Sequence, residues 1–201
     1  GPNTTYTHNS LTANTTHYYK VRAVNVDNIP TNYNTANSTH TTALVPGAVT
    51  IGTVNTTSIQ VNWTDGTNGA GTIYELAESA DGSSYSTIYT GTDITYTQGS
   101  LTANTTHSYK VRAVNVDSIA TNYTAARTTH TIAAVPGAIT LSGIGPNSLQ
   151  VNWTDGNNSA GTLFEVYGST GNNTSYAMLA SGTGLNYSHS GLNPGSTYYY
   201  Q

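Results

Sequence analysis

The sequence predicts an all-β protein built from tandem seven-stranded Greek-key β-sandwiches that follow one another end to end as a rod. Three observations predict this class. Short segments alternate between apolar and polar residues, which is typical of strands with one buried face. Thr, Tyr, Asn and Gly are frequent, and they suit pleated surfaces and tight turns. Long stretches of the chain also recur 90 residues later.

The recurrence defines the repeat. Residues 6–44 match residues 96–134 without a gap and are identical at 28 of 39 positions. A period of 90 residues is too long for a solenoid unit and is close to the size of a small domain. We therefore predict a first repeat over 1–44 with the last three strands of a domain, a complete second repeat over 45–134, and a third repeat over 135–201 that stops inside its sixth strand. Because both ends fall within a repeat, we expect a segment of a longer array.

Seven strands are expected in the second repeat, separated by turn sequences such as DGTNGAG, ADGSS and TANTT. Their predicted ranges are 48–52, 58–63, 72–78, 85–89, 94–98, 108–115 and 124–132. Because side chains of a strand alternate between its two faces, the second and sixth strands each present one apolar row to the core. The predicted inward residues are Ile59, Val61, Trp63, Tyr109, Val111 and Ala113.

The linker into the third repeat, THTIAAVPG, contains neither a Gly/Ser tract nor a charged spacer, which are the usual marks of a flexible linker. Ala133 and Ala134 are small and apolar, and Pro136 fixes its own backbone and keeps Val135 extended. We therefore expect neighbouring repeats to abut in a semi-rigid joint.

Three motifs resemble the fibronectin type III family. VNWTDG places Trp63 and Trp153 near the end of the second strand. LNPGSTYYYQ, which begins at Leu192, is similar to the entry into that family's sixth strand, and YKVRAVN at 109–115 resembles the strand itself. The resemblance covers the whole chain in three repeats. It implies an immunoglobulin-like sandwich with structural roles for the two tryptophans, for Leu101 and for Leu192.

The resemblance also implies a corner tyrosine six residues after that leucine. Tyr198 holds this position in the third repeat, but His107 holds it in the second and His17 in the first. Two alternatives follow for the first two repeats. Either the imidazole makes the hydrogen bond of the corner, or Tyr19 and Tyr109 make it from two residues later.

Composition excludes several functions. The five Lys and Arg residues form no run and the net charge is −4, whereas nucleic-acid binding needs a concentrated cationic surface. The absence of cysteine excludes disulfides and thiolate sites. No apolar stretch is long enough to span a membrane.

No constellation of residues predicts an active site or a cofactor. Glu75 and Glu78 are three residues apart on a predicted strand, so we expect their carboxylates to face opposite ways. The six histidines are scattered and show no metal-ligand spacing. We therefore predict a chain that is not an enzyme.

Four aspartates are candidates for calcium ligation. Asp65 and Asp155 lie in the loop after the tryptophan strand, and Asp27 and Asp117 lie in the loop after the sixth strand. In this type of sandwich both loops lie at the pole near the preceding domain, where carboxylates could supply hard oxygen ligands. The alternative is that these aspartates only form turns.

Four tyrosines are candidates for contact with a sugar or with another chain. Tyr85 and Tyr89 are four apart on one predicted strand and are expected on one face, and Tyr18 and Tyr199 are expected to point outward. The alternative is that they are partial core residues.

These observations lead to two hypotheses of function. The first is a non-catalytic structural or adhesive repeat of an extracellular or cell-surface microbial protein, whose partners are like domains or neighbouring copies of the same chain and whose native form is a filament. The weakly charged surface and poorly guarded strand edges favour it. The second is a spacer or a polysaccharide-binding module in a secreted glycoside hydrolase.

Overall fold

The computed structural model describes residues 3–201, and every regular element found there is a strand. The first two residues of the predicted first repeat lie outside the described part. The first repeat contains β1 (Thr16–Tyr19) and β2 (Asn37–His40). The second contains β3 (Thr50–Val54), β4 (Ile59–Asn62), β5 (Ile73–Ser79), β6 (Ser86–Gly91), β7 (Thr95–Gln98), β8 (Thr106–Val114) and β9 (Arg127–His130). The third contains β10 (Thr140–Ser142), β11 (Ser148–Asn152), β12 (Phe164–Thr170), β13 (Ala177–Gly182), β14 (Asn186–Ser190) and β15 (Tyr198–Tyr200).

The strands of the second repeat form two sheets, one ordered β3-β4-β7 and the other β6-β5-β8-β9. The third repeat follows the same plan with β10-β11-β14 and β13-β12-β15. β1 and β2 pair antiparallel in the first repeat. The predicted all-β sandwich class is therefore confirmed, and each of the seven strands of the second repeat overlaps its predicted range.

Alternation of apolar residues places the core of the second repeat. Ile59, Val61 and Trp63 are buried on one sheet, as predicted. Tyr109, Val111 and Ala113 are wholly buried on the other, because β8 is a central strand between β5 and β9. The Trp63 and Tyr74 rings meet edge to face across the core at 6.2 Å between centroids. Burial of such side chains is the main stabilising term of a small sandwich.

The chain forms two compact units. The first comprises the described residues up to Thr53 with Gln60–Gln98 and His107–Thr129, and the second comprises Val54–Ile59, Gly99–Thr106 and His130–Gln201. Each unit therefore includes residues of more than one repeat. The boundaries after residues 44 and 134 stay a prediction.

A β-bulge corrects the prediction that Tyr85 and Tyr89 share a face. The register of β5 and β6 shifts between Leu76 and Ala77, so that the opposing strand carries one extra residue between Thr87 and Tyr89. As a result Tyr89 packs on Trp63, 6.0 Å between ring centroids, at the core side. The Tyr85 ring instead receives the ammonium of Lys110 at 3.7 Å, on the outer face.

Candidate functional site at the repeat junctions

A pair of polar residues joins the first repeat to the second, and the same pair joins the second to the third. In the first compact unit the amide of Asn14 donates to Thr72 Oγ1 at 2.8 Å. In the second unit Asn104 donates to Thr162 Oγ1, also at 2.8 Å. Both threonines are buried, so these bonds form where water cannot replace them. We call the two places the first and second junction.

A second asparagine at each junction binds the backbone of the preceding linker. Asn68 accepts from Leu44 N at 2.8 Å and donates to the carbonyl of the same residue at 2.9 Å. Asn158 repeats both bonds with Ala134, at 2.7 and 2.8 Å. At each junction the side-chain amide of the asparagine thus makes the two hydrogen bonds that a neighbouring strand would otherwise make with the linker. The backbone N–H and C=O of that linker residue therefore both have a partner.

The loop before the sixth strand has the backbone shape that this arrangement requires. Asn14 and Asn104 have positive φ angles of 49° and 56°, a conformation that asparagine tolerates better than most residues. The carbonyl of the alanine just before each asparagine accepts from the next repeat: Ala13 from Gly69 N at 2.8 Å, and Ala103 from Ser159 N at 3.0 Å. The TANTT sequence therefore forms a turn and also makes hydrogen bonds to the next repeat.

The first junction has further contacts with the loop that follows β8. Val116 N donates to Asn14 Oδ1 at 3.3 Å. His40 Nδ1 lies 3.4 Å from Asp117 Oδ1, with the carboxylate about half exposed. An exposed pair of this kind contributes little to stability, so the buried asparagines carry most of the junction.

Polar bonds, and not the apolar linker residues, hold the junctions. The sequence predicted a semi-rigid joint from the small apolar residues of this linker, but Val135 is 87% exposed and Ala133 is also exposed. The asparagine partners were missed because they lie 58 residues apart, Asn14 from Thr72 and Asn104 from Thr162. The only available signal was that this spacing recurs in both junctions.

The four candidate calcium aspartates are placed in turns. Asp65 Oδ1 caps Thr67 N and Asp155 Oδ1 caps Asn157 N, both at 3.0 Å. Asp117 faces His40, as described above, and Asp27 is exposed in the matching loop of the first repeat. Across residues 3–201 no three His, Asp or Glu residues are grouped as metal ligands. The turn-forming alternative accounts for the geometry of Asp65 and Asp155.

The candidate tyrosines have different environments. Tyr18 is 74% exposed, and Tyr199, opposite Ser169 on β12, is half-buried. The Tyr89 hydroxyl donates to Asp93 Oδ2 at 3.1 Å, while its half-buried ring packs on Trp63. Of the four tyrosines only Tyr18 is exposed, and the other three are half-buried.

A stack of cations and rings on the outer face of β8 was not foreseen from the sequence. Lys110 lies between the rings of Tyr85 and Tyr123, and Arg112 covers Tyr123 at 4.7 Å while pairing with Glu75 at 2.6 Å. In the first repeat Lys20 and Arg22 likewise lie over the ring of Tyr33. The signal was a Lys-x-Arg motif followed by a tyrosine at a constant spacing in both repeats.

The corner position is occupied differently in each repeat. In the third, the Tyr198 hydroxyl accepts from the backbone N–H of Asn193 at 2.8 Å, in the manner of a corner tyrosine. In the second, His107 Nδ1 instead lies 2.8 Å from Glu78 Oε1. In the first, His17 Nε2 lies 2.8 Å from Thr15 Oγ1.

The residue two places later makes a separate contact with the strand before it. Tyr109 donates to the Gln98 side chain at 2.7 Å, and the tyrosines at the same position in the other repeats bond to a histidine: Tyr19 to His8 at 3.2 Å and Tyr200 to His189 at 2.9 Å. In the first two repeats the imidazole thus contacts Glu78 or Thr15, and the tyrosine two places later contacts Gln98 or His8.

The remaining residues with a predicted structural role are buried or half-buried. Trp63 is buried and Trp153 is half-buried, and the described residues offer no hydrogen-bond partner to either indole N–H. Leu192 is buried and Leu101 is half-buried.

Each of the two glutamates of β5 pairs with a different basic side chain, and their carboxylates do not converge on one site. Glu75 binds Arg112 on the outer face, and Glu78 binds His107, which is largely buried. The expectation that the two carboxylates face opposite ways is confirmed. No helix in the described part of the chain is long and apolar enough to cross a membrane.

Comparison with known proteins identifies the fold. No family model matches the sequence, and no curated protein does. A segment of two fibronectin type III domains from chicken tenascin is similar, with a TM-score of 0.55 and 16% identity over 77% of this chain and 87% of that chain. The fibronectin type III domain of human fibronectin type III domain containing protein 3 is similar over 45% of this chain and 86% of its own, with 23% identity and a TM-score of 0.41. The tenascin likeness shows that the chain has the fold of tandem fibronectin type III domains, which confirms the resemblance at the level of fold.

Proposed function

We propose that the chain is a non-catalytic structural or adhesive segment of an extracellular or cell-surface protein, and that this protein builds filaments. One observation carries the proposal: both junctions use the same buried Asn–Thr bond at the same distance. A protein that only needed to tether separate modules could use a flexible polar linker. A buried bond set that recurs at both junctions instead restrains each repeat against its neighbour, which suits a structural repeat.

The surface supports the same proposal. Only 7% of residues are charged, so repulsion between neighbouring molecules is weak. Repeating one domain multiplies any weak lateral contact by avidity. Tandem fibronectin type III folds fit a structural role, since such domains are generally non-catalytic.

The polysaccharide-binding alternative receives less support from the geometry. A sugar platform needs several aromatic rings on one accessible face. The bulge in β6 sends Tyr85 and Tyr89 to opposite faces, and the position of the exposed Tyr18 is occupied in the second repeat by the buried Ser108.

The proposal is tested on the native full-length protein. Intact cells and culture medium are imaged by negative-stain electron microscopy after immunogold labelling with antibodies against the second repeat. We expect gold along extended filaments outside the cell. Gold confined to the cell interior, or to single particles that each carry a distinct globular body with hydrolase activity, would overturn the proposal.

A further inference from the structure

We propose that Asn68, at the first junction, is a site of spontaneous deamidation that the closed junction protects and that an opened junction exposes. The reaction needs no enzyme, and its co-reactant is water. Because the product does not fit the junction, each reaction leaves that junction open. The inference goes beyond the proposed function and concerns the single chain, whether or not copies of it assemble.

The dipeptide Asn68-Gly69 carries the chemistry, and Asn68 is the only asparagine of the sequence that precedes a glycine. Deamidation begins when the backbone nitrogen of the following residue attacks the side-chain carbonyl carbon of the asparagine. Glycine favours this attack, because it has no Cβ to obstruct it and its backbone is the most flexible. The equivalent dipeptide of the second junction is Asn158-Ser159, where a side chain obstructs the attack. The two junctions therefore differ in chemical durability.

The reaction balances without an oxidant or a reductant. The Gly69 nitrogen forms a bond to Asn68 Cγ and loses its proton, while the bond from Cγ to the amide nitrogen breaks and ammonia leaves. The cyclic succinimide then takes up one water molecule. Hydrolysis at Cγ gives aspartate, and hydrolysis at the backbone carbonyl carbon gives isoaspartate. Both products have a carboxylate in place of the amide.

In the closed junction three hydrogen bonds hold the side chain of Asn68. Its Oδ1 accepts from Leu44 N at 2.8 Å, and its amide nitrogen donates to the carbonyls of Leu44 at 2.9 Å and of Asp65 at 2.6 Å. Asn68 is also only 7% exposed. Attack requires the side chain to turn toward its own backbone, and such a rotation breaks these bonds in a buried place, which is costly.

The attacking nitrogen is also protected. Gly69 N donates to the carbonyl of Ala13 at 2.8 Å. The nitrogen must lose this proton to attack, and a hydrogen-bonded backbone N–H gives up its proton through opened states of the structure. Ala13 and Leu44 precede the second repeat, whereas Asn68 and Gly69 belong to it. The same opening of the first junction therefore frees both reacting groups.

The carboxylate product does not fit the closed junction. It has no N–H to donate, so the carbonyls of Leu44 and Asp65 lose their bonds and face a negative charge. Burial of a carboxylate beside two carbonyl oxygens costs more than burial of a bonded amide. Isoaspartate also adds a CH2 group to the main chain, which moves Gly69 N away from Ala13 O. The junction therefore does not close again after the reaction.

The second junction shows which substitution slows the reaction and keeps the contacts. Ser159 occupies the position of Gly69, and its hydroxyl donates to the carbonyl of Asn104. A Cβ at Gly69 would lie 2.6 Å from the methyl group of Thr15, so that side chain must shift. The second junction has Thr105 at the same place and accommodates its serine. Gly69→Ser is therefore expected to preserve the first junction.

The rate of deamidation tests the inference with the purified 201-residue chain. The wild type is incubated at mildly alkaline pH, with and without a denaturing concentration of urea, and Asn68 is followed by mass spectrometry of proteolytic peptides. We expect the reaction to be at least about tenfold slower in the folded chain than in urea, because it proceeds through the opened junction. Equal rates would overturn the inference.

Two threonine variants separate the junction from the fold as a whole. Thr72→Val removes the acceptor of the Asn14 amide and keeps the shape of the side chain, so Asn68 should react at least about threefold faster than in the wild type. Thr87→Val makes the same change at an exposed position of β6 and should leave the rate unchanged. Circular dichroism checks that both variants are folded. A wild-type rate in Thr72→Val would contradict protection by the junction.

Gly69→Ser tests the identity of the attacking nitrogen. We expect slow deamidation of Asn68 in this variant both with and without urea, because the added side chain obstructs the attack in either state. Deamidation in urea as fast as that of the wild type would show that the Asn-Gly dipeptide is not the cause, and it would overturn the inference.

Hydrogen exchange at the Gly69 amide tests the consequence for the junction. Asn68→Asp supplies the aspartate product directly, and we expect this amide to exchange at least about tenfold faster than in the wild type. Asn122→Asp makes the same change at an exposed position and should leave the exchange unchanged. Wild-type exchange in Asn68→Asp would show that the junction closes over a carboxylate, against the inference. None of these outcomes depends on filaments, which electron microscopy tests separately.

Discussion

The hydroxyl of Tyr109 donates a hydrogen bond to Gln98 Oε1 at 2.7 Å, and it links the central strand β8 of one sheet to β7 of the other. Tyr109 is wholly buried, so this bond ties the two sheets together from inside the sandwich. Equivalent tyrosines make the equivalent contact in the other two repeats. The bond is therefore a feature of the repeat and not of one domain.

Tyr109→Phe should destabilise the chain by about 1 kcal/mol, because it removes one buried hydrogen bond and keeps the ring. Urea denaturation measures the change. Tyr18→Phe is the matched control, since Tyr18 is exposed and its loss should change stability by less than about 0.5 kcal/mol. Equal effects of the two substitutions would contradict the structural role of Tyr109.

Alkaline pH should also weaken the fold through Tyr109. Burial, and then the charge of Glu78, raise the pKa of Tyr109 above its ordinary value of 10.0. A raised folded-state pKa means that the stabilisation is complete below the unfolded-state pKa and is lost as the pH rises toward the folded-state pKa. We expect the free energy of unfolding to fall above a pH of about 10 and to fall less steeply in Tyr109→Phe. Urea denaturation at several alkaline pH values measures both slopes, and parallel slopes would exclude this assignment.

Acid should act on the turn between β5 and β6. Hydrogen bonds from Ser79 Oγ, and then from the backbone N–H groups of Ser84 and Ser83, hold the pKa of Asp81 well below its ordinary value. A lowered folded-state pKa gives stability that is present above the unfolded-state pKa and is lost as the pH falls toward the folded-state pKa. Asp81→Asn should therefore flatten the loss of stability below a pH of about 4.

Thermal unfolding at a series of acid pH values measures this effect. The third repeat supplies a natural precedent, because Asn172 Oδ1 accepts from Thr174 N and Ser175 N in the corresponding turn. The substitution should therefore preserve the turn. If the stability of Asp81→Asn fell with pH as steeply as that of the wild type, Asp81 would not be a cause of the acid sensitivity.

Asn158→Ala should weaken the second junction by about 1–3 kcal/mol, because it leaves both backbone groups of Ala134 without their side-chain partner. Hydrogen exchange at the Ala134 amide reports the change locally, and urea denaturation reports it globally. Asn122→Ala, at an exposed position, is the control and should leave both measurements unchanged. Retained protection of the Ala134 amide in Asn158→Ala would disprove the contact.

Gly66→Ala should destabilise the first junction by at least about 1–2 kcal/mol. Gly66 has a φ of +66°, and an added Cβ would lie 2.6 Å from the carbonyl oxygen of Val45. Gly99→Ala is the control, because a Cβ there meets nothing within 4 Å. Urea denaturation compares the two, and a tolerated Gly66→Ala would show that the linker backbone is free to move away.

Local sequence determined the class of the fold. Alternation along a strand depends only on neighbouring residues, so it was sufficient to place Ile59 and Val61 on the inner face of β4 and Val111 on the inner face of β8. The period of 90 residues, visible without any structure, determined that the domain is repeated. These features needed no knowledge of which strands pair.

The tertiary structure decided what depends on contacts between distant residues. The bulge that separates Tyr85 from Tyr89 arises from the pairing of β6 with β5, and no alternation pattern within β6 contains that information. The partners Asn104 and Thr162 lie 58 residues apart, and many other Asn and Thr residues could have made such a bond. Only the path of the folded chain selects this pair, because a buried polar group is stabilised by whichever partner the fold places within hydrogen-bond distance.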